Sequence, residues 1–80
     1  MHYTYILKSI NHNKLYIGST EDLKKRLIKH NSGKSRFTKA YIPWKLVYCE
    51  GHLTRKLAMR AELFYKTGQG RRHSNKKLDL

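Results

Sequence analysis

Residues 3–8 and 14–18 are short runs rich in Tyr, Thr, Ile and Leu, separated only by residues 9–13, a polar stretch bearing Asn and His. Side chains of this kind suit a pleated surface, and so short a connection can join only antiparallel neighbours, so the chain opens as a β-hairpin. Everything downstream has to cover it. Ser19 and Thr20 supply hydroxyl caps ahead of the acids Glu21 and Asp22, and Gly33 stands where a helix should close, which predicts a first helix over residues 21–31. Residues 32–43 are basic and aperiodic and read as a loop anchored to the core by Phe37 and Tyr41. Residues 44–50 alternate as a third strand with Trp44, Leu46 and Tyr48 on one face. Thr54 caps a second helix in which Leu57, Ala58, Ala61, Phe64 and Tyr65 recur at helical spacing, and Gly68 ends it. The order β-β-α-β-α describes an α+β domain, a small, mostly antiparallel sheet with helices packed on it.

Composition limits what such a fold can do. Eighty residues allow one domain, residues 1–80, with residues 70–80 as a basic tail or short helix. Leu, Ile, Val and Phe make up only 18 of the 80 residues, and six tyrosines and one tryptophan tip the chain towards folding. The core is therefore modest, and a shallow cleft is expected instead of a deep cavity. A single cysteine, Cys49, excludes an internal disulfide and a thiolate zinc cluster. No apolar run approaches the roughly 20 residues that span a bilayer, and a cytoplasmic location is expected. Eighteen Lys or Arg against five Asp or Glu leave a formal charge of +13, whose natural complement is a polyanion such as nucleic acid.

Acids are so scarce that each can be weighed. Glu21 and Asp22 suit a first helical turn, where the macrodipole favours negative charge, and Asp79 lies in the tail. Glu50 ends the third strand. Glu62, about 40° from Ala58 on a helical wheel, borders the apolar stripe. It can pair with Lys66 four residues on, or it can hold a hard divalent cation, which needs few carboxylates when phosphates and waters complete its shell. Arg26 and His30, also four apart, flank the stripe of Leu23 and Leu27. They could be solvated basic residues, or Arg26 could clamp a phosphate oxygen while His30 orients or shuttles a proton. Tyr5 and Tyr16 share a sheet face if the hairpin puts residue 5 opposite residue 16 or two positions from it, and a one-residue slip would separate them.

Tyr3-Thr4-Tyr5, Tyr16-Ile17-Gly18, Arg26, His30 and Glu62 together resemble the GIY-YIG nuclease superfamily. The second half of the name is reproduced letter for letter, while in the first half Gly and Ile are replaced and only the tyrosine remains. Asn31-Ser32-Gly33-Lys34 and Pro43-Trp44-Lys45-Leu46-Val47-Tyr48 look like the small single-domain bacterial branch, so the likeness covers nearly the whole chain. It implies a three-stranded antiparallel sheet flanked by helices, and metal-dependent hydrolysis of DNA, duplex or branched, with little sequence specificity and with structure-selective cutting as an option, in repair or recombination. One ion, Mg²⁺ or Mn²⁺, would be held by Glu62. Tyr16 would be the general base, Tyr5 and His30 would position water and phosphate, and Arg26 would stabilise the transition state. Lys34, Arg36 and Lys39 of the loop and Arg71, Arg72, Lys76 and Lys77 of the tail would follow the DNA backbone. With no room for further DNA-binding domains, target choice would be minimal or supplied by a protein partner. Two alternatives stay open: a catalytically weak or inert nucleic-acid-binding module on the same scaffold, and a basic RNA- or ribosome-associated protein.

Overall fold

A computed structural model describes residues 1–67. Gly68 as the helix end and the tail bearing Arg71, Arg72, Lys76, Lys77 and Asp79 lie outside the described residues. Strands β1 (His2–Ser9) and β2 (Leu15–Thr20) form the hairpin, helix α1 (Leu23–Asn31) follows, a 3-10 turn (Thr38–Tyr41) interrupts the basic loop, and β3 (Trp44–His52) leads to α2 (Arg55–Lys66). The sheet order is β2-β1-β3, antiparallel throughout, so β1 is central and β2 is an edge.

The hairpin register pairs Tyr5 with Gly18 and Leu7 with Tyr16. Side chains alternate between faces, so Tyr5 and Tyr16 are diagonal neighbours on one face, the arrangement in which the two phenols can meet. On that face Tyr5, Leu7 and Trp44 form the core, with Tyr16, Leu23, Leu27, Tyr41 and Ile42 packed against them. The opposite face carries Thr4, Ile6 and Ser19 and is covered by α2: the Thr4 hydroxyl donates to the Ala58 carbonyl at 2.7 Å. Helices on both faces make an α+β domain in the order read from the sequence.

Three local expectations are corrected. Asp22 is the N-cap of α1, its carboxylate accepting from the Lys25 amide at 3.0 Å, and no acid lies in the first turn. Ser19 and Thr20 instead complete β2, and Glu21 lies outside the helix beside His2. In β3 the register jumps between Ile6 opposite Tyr48 and Leu7 opposite Leu46, leaving Val47 as an extra residue. This bulge turns Tyr48 to the α2 face, away from Trp44 and Leu46. On α2, only Ala58 and Tyr65 of the expected stripe are buried, while Leu57 and Phe64 are exposed. Three strands offer too narrow a surface for a broad apolar stripe. Thr54 caps α2 as expected, and Gly33, at φ 82°, follows the C-cap of α1.

Candidate active site

Tyr5 is buried at the centre of the sheet, and its hydroxyl lies over Gly18 on the edge strand. A Cβ at Gly18 would stand 2.6 Å from that hydroxyl oxygen, so glycine is the residue that lets the phenol cross to the edge. The Tyr5 hydroxyl is 3.0 Å from His30 Nε2, and His30 Nδ1 is 2.9 Å from the Thr38 hydroxyl. Both imidazole tautomers satisfy this chain, with the hydroxyls at either end reversing their roles. His30 is only 1% exposed, so it belongs to the core and not, as its place on the wheel implies, to the border of the stripe. The 3-10 turn causes the difference by bringing Thr38 over the helix C-terminus and closing His30 from solvent.

Burial, reinforced by the neighbouring Tyr16 and Glu62, pushes the Tyr5 phenol far above its usual range despite the opposing effect of Arg26. Burial, and then the charges of Arg26 and Lys29, push His30 below an ordinary histidine. At neutral pH the pair is therefore a protonated phenol and a neutral imidazole, joined by a hydrogen bond. Tyr16 packs on this pair, with ring centroids 6.2 Å from Tyr5 and 4.7 Å from His30. Among the described residues its hydroxyl has no hydrogen-bond partner, and the side chain is half-buried.

Glu62 approaches the same edge strand from the other face of the sheet. Its Oε1 accepts from the Ser19 hydroxyl at 2.9 Å and its Oε2 from Lys66 at 2.6 Å, so the i, i+4 pair expected from spacing forms. Ser19 is a site residue that sequence reasoning missed. Its place two residues after Ile17, one position past the close approach at Gly18, was the available signal. Glu50, the remaining strand acid, lies on the same sheet face as Ser19, across Thr4 from it, and accepts from the Tyr48 and Tyr65 hydroxyls.

Arg26 is half-buried and lines an open cleft of about 460 Å³ between α1, the end of β2 and the start of α2. Lys25 and Lys29 of α1 and Arg55 of α2 line it too, and none of these four cations has an acid within ion-pair distance among the described residues. Glu21 and Asp22 also border the cleft, but Asp22 is engaged with the Lys25 amide and Glu21 faces His2 at 3.6 Å. Lys34, Arg36 and Lys39 are exposed on the loop after α1. Unpaired cations concentrated at one cleft favour an anion there.

The sequence of residues 1–77 matches the family model described as the GIY-YIG catalytic domain. The chain belongs to the GIY-YIG family. A UPF0213 protein of Bacillus pumilus is 46% identical over 67 residues, covering 82% of this chain and 67% of that protein. One of Staphylococcus epidermidis is 42% identical over 67 residues, covering 82% of this chain and 80% of the relative. The solution NMR structure of a UPF0213 protein of Bacillus halodurans superposes with a TM-score of 0.56 at 32% identity, covering 96% of this chain and 83% of that one. GIY-YIG membership points to nuclease activity on a nucleic-acid substrate, typically dependent on a divalent metal. No helix among the described residues is long and apolar enough to cross a membrane.

The residues present suit a hard cation bound with few protein ligands. Among the described residues no three His, Cys, Asp or Glu side chains are gathered as a cage. Glu62 offers carboxylate oxygens at the edge strand, part-exposed, with Ser19 and Lys66 using one lone pair on each and leaving others available. A site of this kind fits Mg²⁺ or Mn²⁺, which retain waters and take substrate phosphate oxygens.

Proposed function

We propose that this GIY-YIG protein is a divalent-metal-dependent DNA endonuclease with little sequence specificity, using Tyr16, Arg26 and Glu62 as its reacting groups. The observation that supports it most is that Tyr16, Arg26 and the Ser19-held Glu62 carboxylate all lie close enough to the Tyr5 phenol to act on its ionisation, and that among the described residues the Tyr16 hydroxyl has no hydrogen-bond partner and Arg26 no acid within ion-pair distance. A fold that served only to grip phosphate would need no carboxylate there.

Tyr16 takes the proton of the attacking water, directly or through a short relay. Tyr5 and His30 do not titrate in this scheme. The protonated phenol and neutral imidazole fix the ring of Tyr16 by packing, and their hydrogen bond fixes each other. Both are positioning residues. Arg26 stabilises charge on the non-bridging oxygens as the phosphorus becomes five-coordinate. Glu62 would hold the cation, its carboxylate oriented by the Ser19 hydroxyl and paired with Lys66. When bound, the cation supplies Lewis-acid polarisation of the scissile phosphate and stabilises the leaving oxygen. Lys25, Lys29 and Arg55 in the cleft, with Lys34, Arg36, Lys39 and the basic tail, grip the backbone without reading sequence. The setting would be cytoplasmic DNA repair or recombination, with targeting by a protein partner.

The second reading, an inert nucleic-acid-binding module, is favoured by one specific observation: both Glu62 oxygens are already engaged, as in a purely structural ion pair. Incubation with plain duplex, flapped and branched DNA in Mg²⁺, Mn²⁺ or chelator separates the two. The unsubstituted chain should cut with metal and not with chelator. Glu62→Gln should still bind DNA but cut more than about 10²-fold more slowly, since disturbing a ligand's supporting shell alone costs ~10–100-fold. Undiminished cutting by Glu62→Gln would remove the metal role, and binding without cutting by the parent would favour the inert module.

A further inference from the structure

Phe37, expected to anchor the loop in the core, is 55% exposed at the start of the 3-10 turn. An exposed aromatic ring needs no explanation on its own. This one has a fixed position beside the reacting groups. Its centroid lies 6.2 Å from Tyr16 and 5.7 Å from Tyr41, so its inner side rests on the proposed general base and its outer side meets solvent. Lys34, Arg36 and Lys39 surround it in sequence, all exposed and without an acid in ion-pair range among the described residues. β2 is an edge strand whose rim carries Tyr16, packed against Phe37, and Ser19, which lines the Arg26 cleft. Tyr16 and Ser19 are about 10 Å apart along that rim at the usual strand rise.

We propose that Phe37 stacks on an unpaired nucleobase beside the phosphodiester presented to Tyr16, and that the site takes DNA with an unpaired nucleotide at the cut, as in a single strand, flap or branch. The cut itself rests on the nuclease reading above, whereas the stacking does not. A base inside a duplex has both faces occupied by its neighbours and cannot use the ring. An unpaired base has a free face, and stacking on an aromatic side chain accepts any base, which matches the low sequence specificity proposed above. The flanking cations then take the phosphates on either side.

The test measures binding of the full chain, in chelator, to a single-stranded oligonucleotide carrying 2-aminopurine and to the same sequence as duplex. The unsubstituted chain should quench the 2-aminopurine fluorescence of the single strand. Phe37→Leu keeps an apolar side chain against Tyr16 but no aromatic face. It should weaken single-strand and flap binding about 5- to 100-fold and abolish quenching, with duplex binding within about twofold. Phe37→Trp should restore both. Equal weakening of single-strand and duplex binding by Phe37→Leu, or failure of Phe37→Trp to restore quenching, would mean the ring only props Tyr16. Absence of quenching by the unsubstituted chain overturns the proposal whatever the stability of the variants. A chain that quenches but never cuts with metal would remove the nuclease reading and leave the stacking in place.

Discussion

His30 shows how far a single residue can depart from what spacing implies. Four residues after Arg26 it belongs on the edge of α1's apolar stripe, yet it is sealed between Tyr5 and Thr38, with Tyr16 packed on its ring. Nothing in its local sequence announces this, because Thr38 and Tyr5 come from distant elements. The consequence is measurable as a pH effect. An ordinary histidine titrates near 6.5, and burial with Arg26 and Lys29 holds the folded-state value lower. Between the two values the unfolded chain binds a proton that the folded chain refuses. Stability from this group is therefore complete above about pH 6.5 and is lost as pH falls through the folded value. Denaturant midpoints taken from about pH 8 to about pH 5 should fall more steeply for the parent than for His30→Gln, which has no such proton to bind. Parallel curves would show that the imidazole is not held neutral. Tyr5 and Tyr16 were legible as a same-face pair given the right register, and Glu62 as a residue at a border, but which group sits under which was not.

At the level of elements, the hairpin, both helices and the third strand follow from pattern, and their junctions do not. Asn31, the last residue of α1, illustrates a junction: its amide donates to the Trp44 carbonyl at 3.0 Å and its carbonyl oxygen accepts from the Trp44 amide at 2.6 Å. One side chain thus mimics a strand neighbour and ties the end of α1 to the start of β3, where the Trp44 indole also donates to the Thr38 carbonyl. Removing it leaves both Trp44 backbone groups without these partners. Asn31→Ala should lower unfolding free energy by about 1–3 kcal/mol, two net hydrogen bonds' worth, in a denaturant titration. A drop below about 0.5 kcal/mol would show that water replaces the amide without cost. The bulge at Val47 is of the same kind. Alternation in residues 44–50 is real in the sequence, but pairing of the entire strand with β1 inserts an extra residue and sends Tyr48 to the other face.

For the whole molecule, the +13 charge is a statement about partners, and the fold distributes it. Lys25, Arg26, Lys29 and Arg55 reach one cleft from two helices that are remote in sequence, while Lys45 lies exposed on β3 outside it. If the cleft carries the backbone, substituting Lys25, Lys29 and Arg55 by Gln should reduce the slope of log affinity for duplex DNA against log salt by about 0.9 for each phosphate no longer neutralised. Lys45→Gln should leave the slope unchanged. A common small change in both would mean the charge acts diffusely. Arg55 was invisible as a site residue in the sequence, where it is one more base at a helix start.

The sequence by itself determined the element order, the antiparallel hairpin, the helix cap at Thr54, the demand for an anionic partner and the family, because these depend on local periodicity, short connections and residue spacing. Only the tertiary structure decided that His30 is sealed in the core, that Phe37 faces solvent, that Ser19 holds Glu62 and that Arg55 joins the α1 cations. Those outcomes depend on which surfaces a three-stranded sheet can cover. That is a property of packing between distant segments, and no single stretch of the chain encodes it.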